Sequence, residues 1–205
     1  MAISFKVNGE CEKVVNMLKA NCRTSWNSTE IMPQIHSSSY VDESATIIGD
    51  VRVGKDVYIA PSVSLRADEA SPIIIGDECN IQDSAVFHGL KGSSIELGEN
   101  VSIAHGAVIH GPILMGDECF VGFNSVVHAS TLGKKCFVGH LAAVIGVTLA
   151  EGSFVPHGRV VDTQEKADAL GRVPESLKDF NEEVVEVNCE FAKSYGIQRK
   201  SCVGQ

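Results

Sequence analysis

The chain has 205 residues, 44 % hydrophobic and 21 % charged, which is the balance of a soluble globular protein long enough to bury a core. Its net charge of −9 argues against nucleic acid or an anionic membrane as the main partner. No run of about 18 apolar residues is present to span a membrane, and the opening residues lack the basic region and apolar block of a secretory signal, so a cytoplasmic location is expected.

Residues 1–35 are read as an N-terminal extension, in which 10–22 (ECEKVVNMLKANC) carries a short helical pattern. Residues 36–161 form the main domain. From Ile48 to Val155 an aliphatic residue recurs about every six positions, often followed by glycine, as in Val53-Gly54, Ile75-Gly76, Leu97-Gly98 and Val121-Gly122. This hexapeptide repeat predicts a parallel β-helix of triangular turns, each six-residue unit making one side. The inward aliphatics group in threes: Val53, Ile59, Leu65; Ile75, Ile81, Phe87; Leu97, Ile103, Ile109; Met115, Val121, Val127; Leu132, Val138, Val144. Leu65 to Ile75 and Phe87 to Leu97 are ten-residue steps, so each carries a loop after the third side, where function tends to reside.

The chain has 7 cysteines, an odd number with no CxxC pair, so disulfides are not the leading reading. Cys79, Cys119 and Cys136 each precede a second-side aliphatic by two residues and read as buried reduced thiols. After Val161 the period changes. Residues 162–205 form a helical segment, with 163–170 and 180–196 helical and a stripe of Val184, Val187 and Phe191 expected to pack along the β-helix.

Of the seven histidines, three stand out by register. His88 follows Phe87 and His110 follows Ile109, so both occupy outward third-side positions one rung apart, where two imidazoles can converge on one metal. His105 lies two residues after Ile103, on the second side of the same turn, with a corner between it and His110. It can complete the site only from a neighbouring chain, which implies composite sites in a homotrimer. Three histidines and a water make an open, catalytic arrangement. His128 is a candidate by position alone and reads as a rim or interface residue, and His36, His140 and His157 read as structural. Arg66, Asp68 and Glu69 enter the first loop one rung before His88, and Gln82 lies close in register to His105.

The segments SLRADE (64–69), NIQDSAVFH (80–88) and IAHGAVIHGP (103–112) resemble those of γ-class carbonic anhydrases, and the likeness runs through nearly all the chain after residue 23. The resemblance implies a left-handed β-helix with a C-terminal helix packed along it, and a homotrimer with metal ions at its subunit interfaces. His88 and His110 would come from one chain and His105 from the next, holding Zn²⁺, or Fe²⁺ or Co²⁺. Arg66 and Asp68 would form an intersubunit salt bridge. Asn80 and Gln82 would orient the nucleophilic water, Glu69 would lie in the active site, and Asn188, in VEVN (185–188), would sit near the substrate. The implied activity is reversible hydration of carbon dioxide to bicarbonate and a proton. The chain departs from the best-known members in its loop 89–96 (GLKGSSIE), which is short and basic at Lys91 where they carry a long acidic loop with a proton-shuttling glutamate. Glu96 lies too close to the next strand to serve, which leaves proton export to Glu69 or buffer. The alternatives are a hexapeptide-repeat acyltransferase, which needs one catalytic histidine and no metal, and a structural or assembly protein that keeps the fold but not the turnover.

Overall fold

The computed structural model describes residues 17–177 and 179–203, together with the antiparallel pair Lys6–Val7 and Glu10–Cys11. The chain is a left-handed parallel β-helix closed along one side by a C-terminal helix. The second side is a seven-stranded sheet running from Tyr40–Val41 to Phe154–Val155. The first and third sides join into one sheet, because the strands Val108–Met115 and Val126–Leu132 continue round the corner between them. No helix among the described residues is long and apolar enough to cross a membrane.

The inward triads fall in the expected register. Val53, Ile75, Leu97, Met115 and Leu132 pair in sequence on the first side. Ile59, Ile81, Ile103, Val121 and Val138 do so on the second, and Leu65, Phe87, Ile109, Val127 and Val144 on the third. The solenoid extends by one turn at each end, through Ile35, Val41 and Ile47 and through Leu149, Val155 and Val161. At the first of these the inward residue is Ile47, not Ile48, which pairs outward with Arg66. Leu18–Lys19 and Gln34–Ile35, both within the stretch read as an extension, add strands to the sheet. Of the helical pattern at 10–22, residues 12–16 lie outside the described residues, and the flanking pairs are strands rather than helix.

The six-residue period also governs the corners. Three residues after each inward aliphatic of the first and second sides, from Asp56 to Gly158, the backbone adopts a φ between +52° and +70°. An L-residue there costs roughly 1–2 kcal/mol, and Asn, Asp, Ser or Gly takes eight of the twelve places, the others being Glu78, Glu118, Lys135 and Leu141. The inner space is narrow and filled by aliphatics and thiols. Cys79, Cys119 and Cys136 are buried, and each Sγ donates to a carbonyl one turn on, of Gly98, Gly133 and Ala150, at 3.1 Å. Burial pushes the Cys79 thiol up to about 12, so it is an inert core group.

Helix α1 (Gln164–Asp168) starts where the Thr163 hydroxyl accepts the Lys166 N–H. Helix α2 (Phe180–Val203) lies along the second side, against Tyr40–Val41, Tyr58–Ile59, Asn80–Ile81 and Ser102–Ile103. The face it buries differs from the expected stripe. Asn181, Val185, Asn188 and Ala192 turn inward, while Val187 and Phe191 remain 49 % and 43 % exposed. Asn181, Asn188 and Ala192 are buried over the stretch that carries Asn80, Gln82, Ser102 and Ala104, while Val184 of the expected stripe packs against Phe120 and Phe137, and the Phe191 ring meets Tyr58 at 5.7 Å from the edge of the buried face.

Candidate metal centre

The third side builds the centre. Alternation along each strand turns Leu65, Phe87, Ile109 and Val127 inward and leaves their followers outside. Parallel register aligns those followers into one column: Arg66, His88, His110, His128. The rings of His88 and His110 are 5.5 Å apart, and those of His110 and His128 5.1 Å, each pair meeting edge to face. His110 Nδ1 donates to Gly111 O at 3.3 Å, which leaves Nε2 as its bare nitrogen.

The two long steps supply the surroundings. Arg66 donates through Nε (3.1 Å) and Nη2 (2.9 Å) to Asp68 Oδ2 of its own chain, the pair expected to bridge subunits. The other oxygen, Asp68 Oδ1, lies 3.3 Å from His88 Nε2, and Glu69 Oε1 lies 3.6 Å from the same nitrogen. Neither His88 Nε2 nor Asp68 Oδ1 makes a hydrogen bond, although both are buried. Asn27 Nδ2 donates to the Asp68 carbonyl and ties residues 21–31 to this loop. Ser71 Oγ of the first loop donates to Gly89 O of the second, where Lys91 Nζ stands 5.5 Å over the Trp26 ring. Glu96 faces away, on the first side between Ile74 and Leu114, and accepts from Ser94 Oγ.

His105 occupies the corner between the second and third sides. Gly106 follows it at φ +70°, where a Cβ would stand 2.3 Å from Asn124 Oδ1. His105 Nδ1 donates to Asp83 Oδ2 at 2.8 Å, so its Nε2 is bare and exposed to solvent. This is the carboxylate–histidine arrangement that fixes tautomer and orientation in metal sites. Asp83 escaped the sequence reading. The signal was there: it lies 22 residues before His105, the length of that turn, at the same corner one rung earlier.

The corner column continues with rings. Phe123 lies 5.4 Å from His105, His140 stacks on Phe123 at 4.2 Å, and His157 stacks on His140 at 4.7 Å. Here the tautomer is reversed. His140 Nδ1 accepts the Phe123 N–H at 3.0 Å, and His157 Nδ1 accepts the His140 N–H at 2.8 Å, so both carry their proton on Nε2. Partial burial and the neighbouring His157 hold His140 below the usual imidazole range. The unfolded chain therefore binds this proton first. The stability the corner contributes is complete above pH of about 6.5 and is lost as pH falls through the lower native value. His140→Asn, whose Oδ1 can still accept the Phe123 N–H, is expected to flatten the acid limb of a denaturation profile. An unaltered limb would remove His140 from the explanation.

A buried relay lies on the second side. Gln82 Nε2 donates to Asn80 Oδ1 (2.9 Å), and Asn80 Nδ2 donates to Ser102 Oγ (2.8 Å), which fixes the amide directions and leaves Oε1 as the acceptor of Gln82. Asn188 is buried on α2 and donates from Nδ2 to Val184 O. The fold thus gathers His88, His110, Asp68 and Glu69, puts His105 on a separate corner with Asp83, and holds Asn80 and Gln82 in the relay. Among the described residues of one chain, no three His, Cys, Asp or Glu side chains converge as a metal site.

No family model matches the chain. The carbonic anhydrase of Methanosarcina thermophila is 37 % identical over 202 residues, covering 87 % of this chain and 81 % of that protein. The chain belongs to the γ-class carbonic anhydrase family. A second relative, the carboxysome assembly protein CcmM of Nostoc, is 38 % identical over 182 residues and 84 % of this chain, but the match spans only 33 % of its own length. Among solved structures, a candidate acetyltransferase from Bacillus cereus superposes with a TM-score of 0.71 at 23 % identity, covering 81 % of this chain and 92 % of that one, a likeness of fold alone.

The donor set suits the metal that the γ-class family implies. The nitrogens of His110 and His105 that face away from their hydrogen-bond partners are bare, and His88 Nε2 is buried and makes no hydrogen bond. Such imidazole nitrogens fit Zn²⁺ and, by ligand type, Fe²⁺ or Co²⁺.

Proposed function

We propose that the chain is a metal-dependent carbonic anhydrase, hydrating carbon dioxide reversibly to bicarbonate and a proton, and that it works as a homotrimer. Each site takes His88 and His110 from one copy and His105 from its neighbour. The observation that carries this reading is the register of His88 and His110, aligned one rung apart, with the buried His88 Nε2 making no hydrogen bond. When bound, the metal would supply acidity, lowering the pKa of water to about 7.

The chain's residues do the rest. Asp83 and the Gly111 carbonyl hold the Nδ1 protons of His105 and His110 and so aim their Nε2 atoms. Arg66 neutralises Asp68 beside His88. Gln82, its nitrogen committed to Asn80, offers Oε1 to the hydrogen of the nucleophile, and Asn188 offers Oδ1 from α2 near the substrate. Glu69, 3.6 Å from His88 Nε2 and partly exposed, takes the product proton outward. With Glu69→Ala, hydration at low buffer is expected to fall roughly 10²-fold, the lower end for a positioned proton-transfer group, and to recover at high buffer with metal content unchanged. Buffer-limited rates equal to those of the unmodified protein would dismiss Glu69 from this role.

Metal quantitation on anaerobically purified protein, paired with stopped-flow hydration of carbon dioxide, tests the whole reading. One ion per chain with buffer-dependent turnover supports it, and metal-free protein refutes it. A second reading, a structural or assembly protein that has kept the metal but lost turnover, is favoured by the likeness to CcmM and by the short 89–96 loop. It predicts a metal-loaded trimer without hydration at any buffer concentration.

A further inference from the structure

His128 is the third imidazole of the column, and the proposed site does not use it. It is half-buried in the single chain, with Ile145 beside it on the next rung. The corner column shows what can reach it. His105, Phe123 and His140 follow the paired inward residues Ile103, Val121 and Val138 by two. Along the coil His105 falls between His88 and His110, and His140 falls between His128 and Ile145. A threefold axis parallel to the coil keeps equal turns of the copies level. The corner that brings His105 to the His88–His110 step of a neighbour therefore brings His140 to its His128–Ile145 step, two turns on.

The two corner imidazoles are held alike. His105 Nδ1 bonds to Asp83 and His140 Nδ1 to the Phe123 N–H, each one turn back, so each Nε2 lies on the far side of its ring from that contact. They differ in the proton. His105 Nε2 is bare and suits a metal, whereas His140 Nε2 carries hydrogen and suits an acceptor such as a neutral imidazole. Two imidazole nitrogens on one tetrahedral ion stand roughly 3.3 Å apart, so the same separation of chains suits an N–H···N hydrogen bond at His128. Leu141 follows His140 at φ +59° and is 68 % exposed. It is the one apolar side chain in a left-handed column that otherwise holds Ser, Gly and Asn, and Ile145, level with it, is 37 % exposed.

We propose that His140 and Leu141 make a second intersubunit contact, His140 Nε2 donating to His128 of the neighbouring copy and Leu141 packing on its Ile145, so that protein contacts hold the trimer without the metal. The proposal rests on the composite-site reading above. Full-length protein stripped of metal with a chelator is expected to sediment as a trimer. His140→Ala and Leu141→Gly should each raise the dissociation constant of the stripped trimer roughly tenfold or more. Leu141→Gly also relieves the left-handed backbone, so its chain should melt no lower and weaker assembly cannot be ascribed to misfolding. His128→Ala combined with His140→Ala should dissociate no more readily than either alone, and additive losses would dismiss the hydrogen bond. Stripped trimers of His140→Ala and Leu141→Gly as tight as the unmodified protein would overturn the proposal. So would unmodified protein that is trimeric only with metal, a result that leaves the composite site standing. Unmodified protein monomeric in both states would overturn both.

Discussion

His105→Ala and His110→Ala are each expected to lose bound metal and carbon dioxide hydration, and an equal mixture of the two chains, refolded together, is expected to regain about a quarter of the sites. The reason is geometric. His110 stands in the third-side column with His88, whereas His105 lies on a corner beside Asp83 and Phe123. A catalytic zinc keeps one position open and depends on all three protein ligands. The loss should therefore exceed the roughly 10–100-fold that follows from disturbing an outer partner. In a random trimer of the two variants, a site is whole when its column comes from the His105→Ala chain and its corner from the His110→Ala chain, a chance of about one in four. Metal content and hydration rate of the unfractionated trimers read that fraction directly. Mixed trimers as empty as the parents would show that all three imidazoles serve within one chain, or that they serve no metal.

Phe87→Ala should destabilise the fold by about 3–5 kcal/mol, the usual cost of emptying a fully buried phenylalanine site. Phe87 is the inward neighbour of His88, fully buried, and held between Leu65 and Ile109 of the adjoining turns. A solenoid turn touches only the turns on either side, so no distant packing compensates. Phe87→Leu, closer in volume, should cost less than about 1.5 kcal/mol. Chemical denaturation at fixed protein concentration measures both, because assembly contributes to apparent stability. A change under about 1 kcal/mol for the alanine variant would mean that the turn collapses around the gap. The same variant is expected to weaken metal binding, since the Phe87 ring anchors the strand that presents His88.

The repeat was legible because a β-helix writes its period into the chain. Each side needs one inward aliphatic, each turn repeats three sides, and the ten-residue steps mark where loops leave the coil. The column of His88 and His110 follows from that count alone, as does the burial of Cys79, Cys119 and Cys136. The first turn was harder to see, because Ile35 lacks the glycine that follows the first-side aliphatics of the middle turns, and Gly49 draws the count to Ile48 instead of Ile47. The face of α2 was misjudged, because an apolar stripe shows what a helix can bury and not what its partner surface will accept. Val187 is left to solvent and Phe191 only edges onto Tyr58, while Asn188 and Ala192 take the buried positions.

Sequence by itself determined the coil and the rungs of His88, His105, His110 and His128, since both depend on spacing along the chain, and the likeness of its motifs gave the family. Only the tertiary structure decided which nitrogen of each imidazole is bare. Asp83 against His105 and the backbone N–H groups against His140 and His157 come from neighbouring turns, 17 to 22 residues away. A hydrogen bond across rungs depends on side-chain direction as well as on register, and direction is settled by packing in three dimensions.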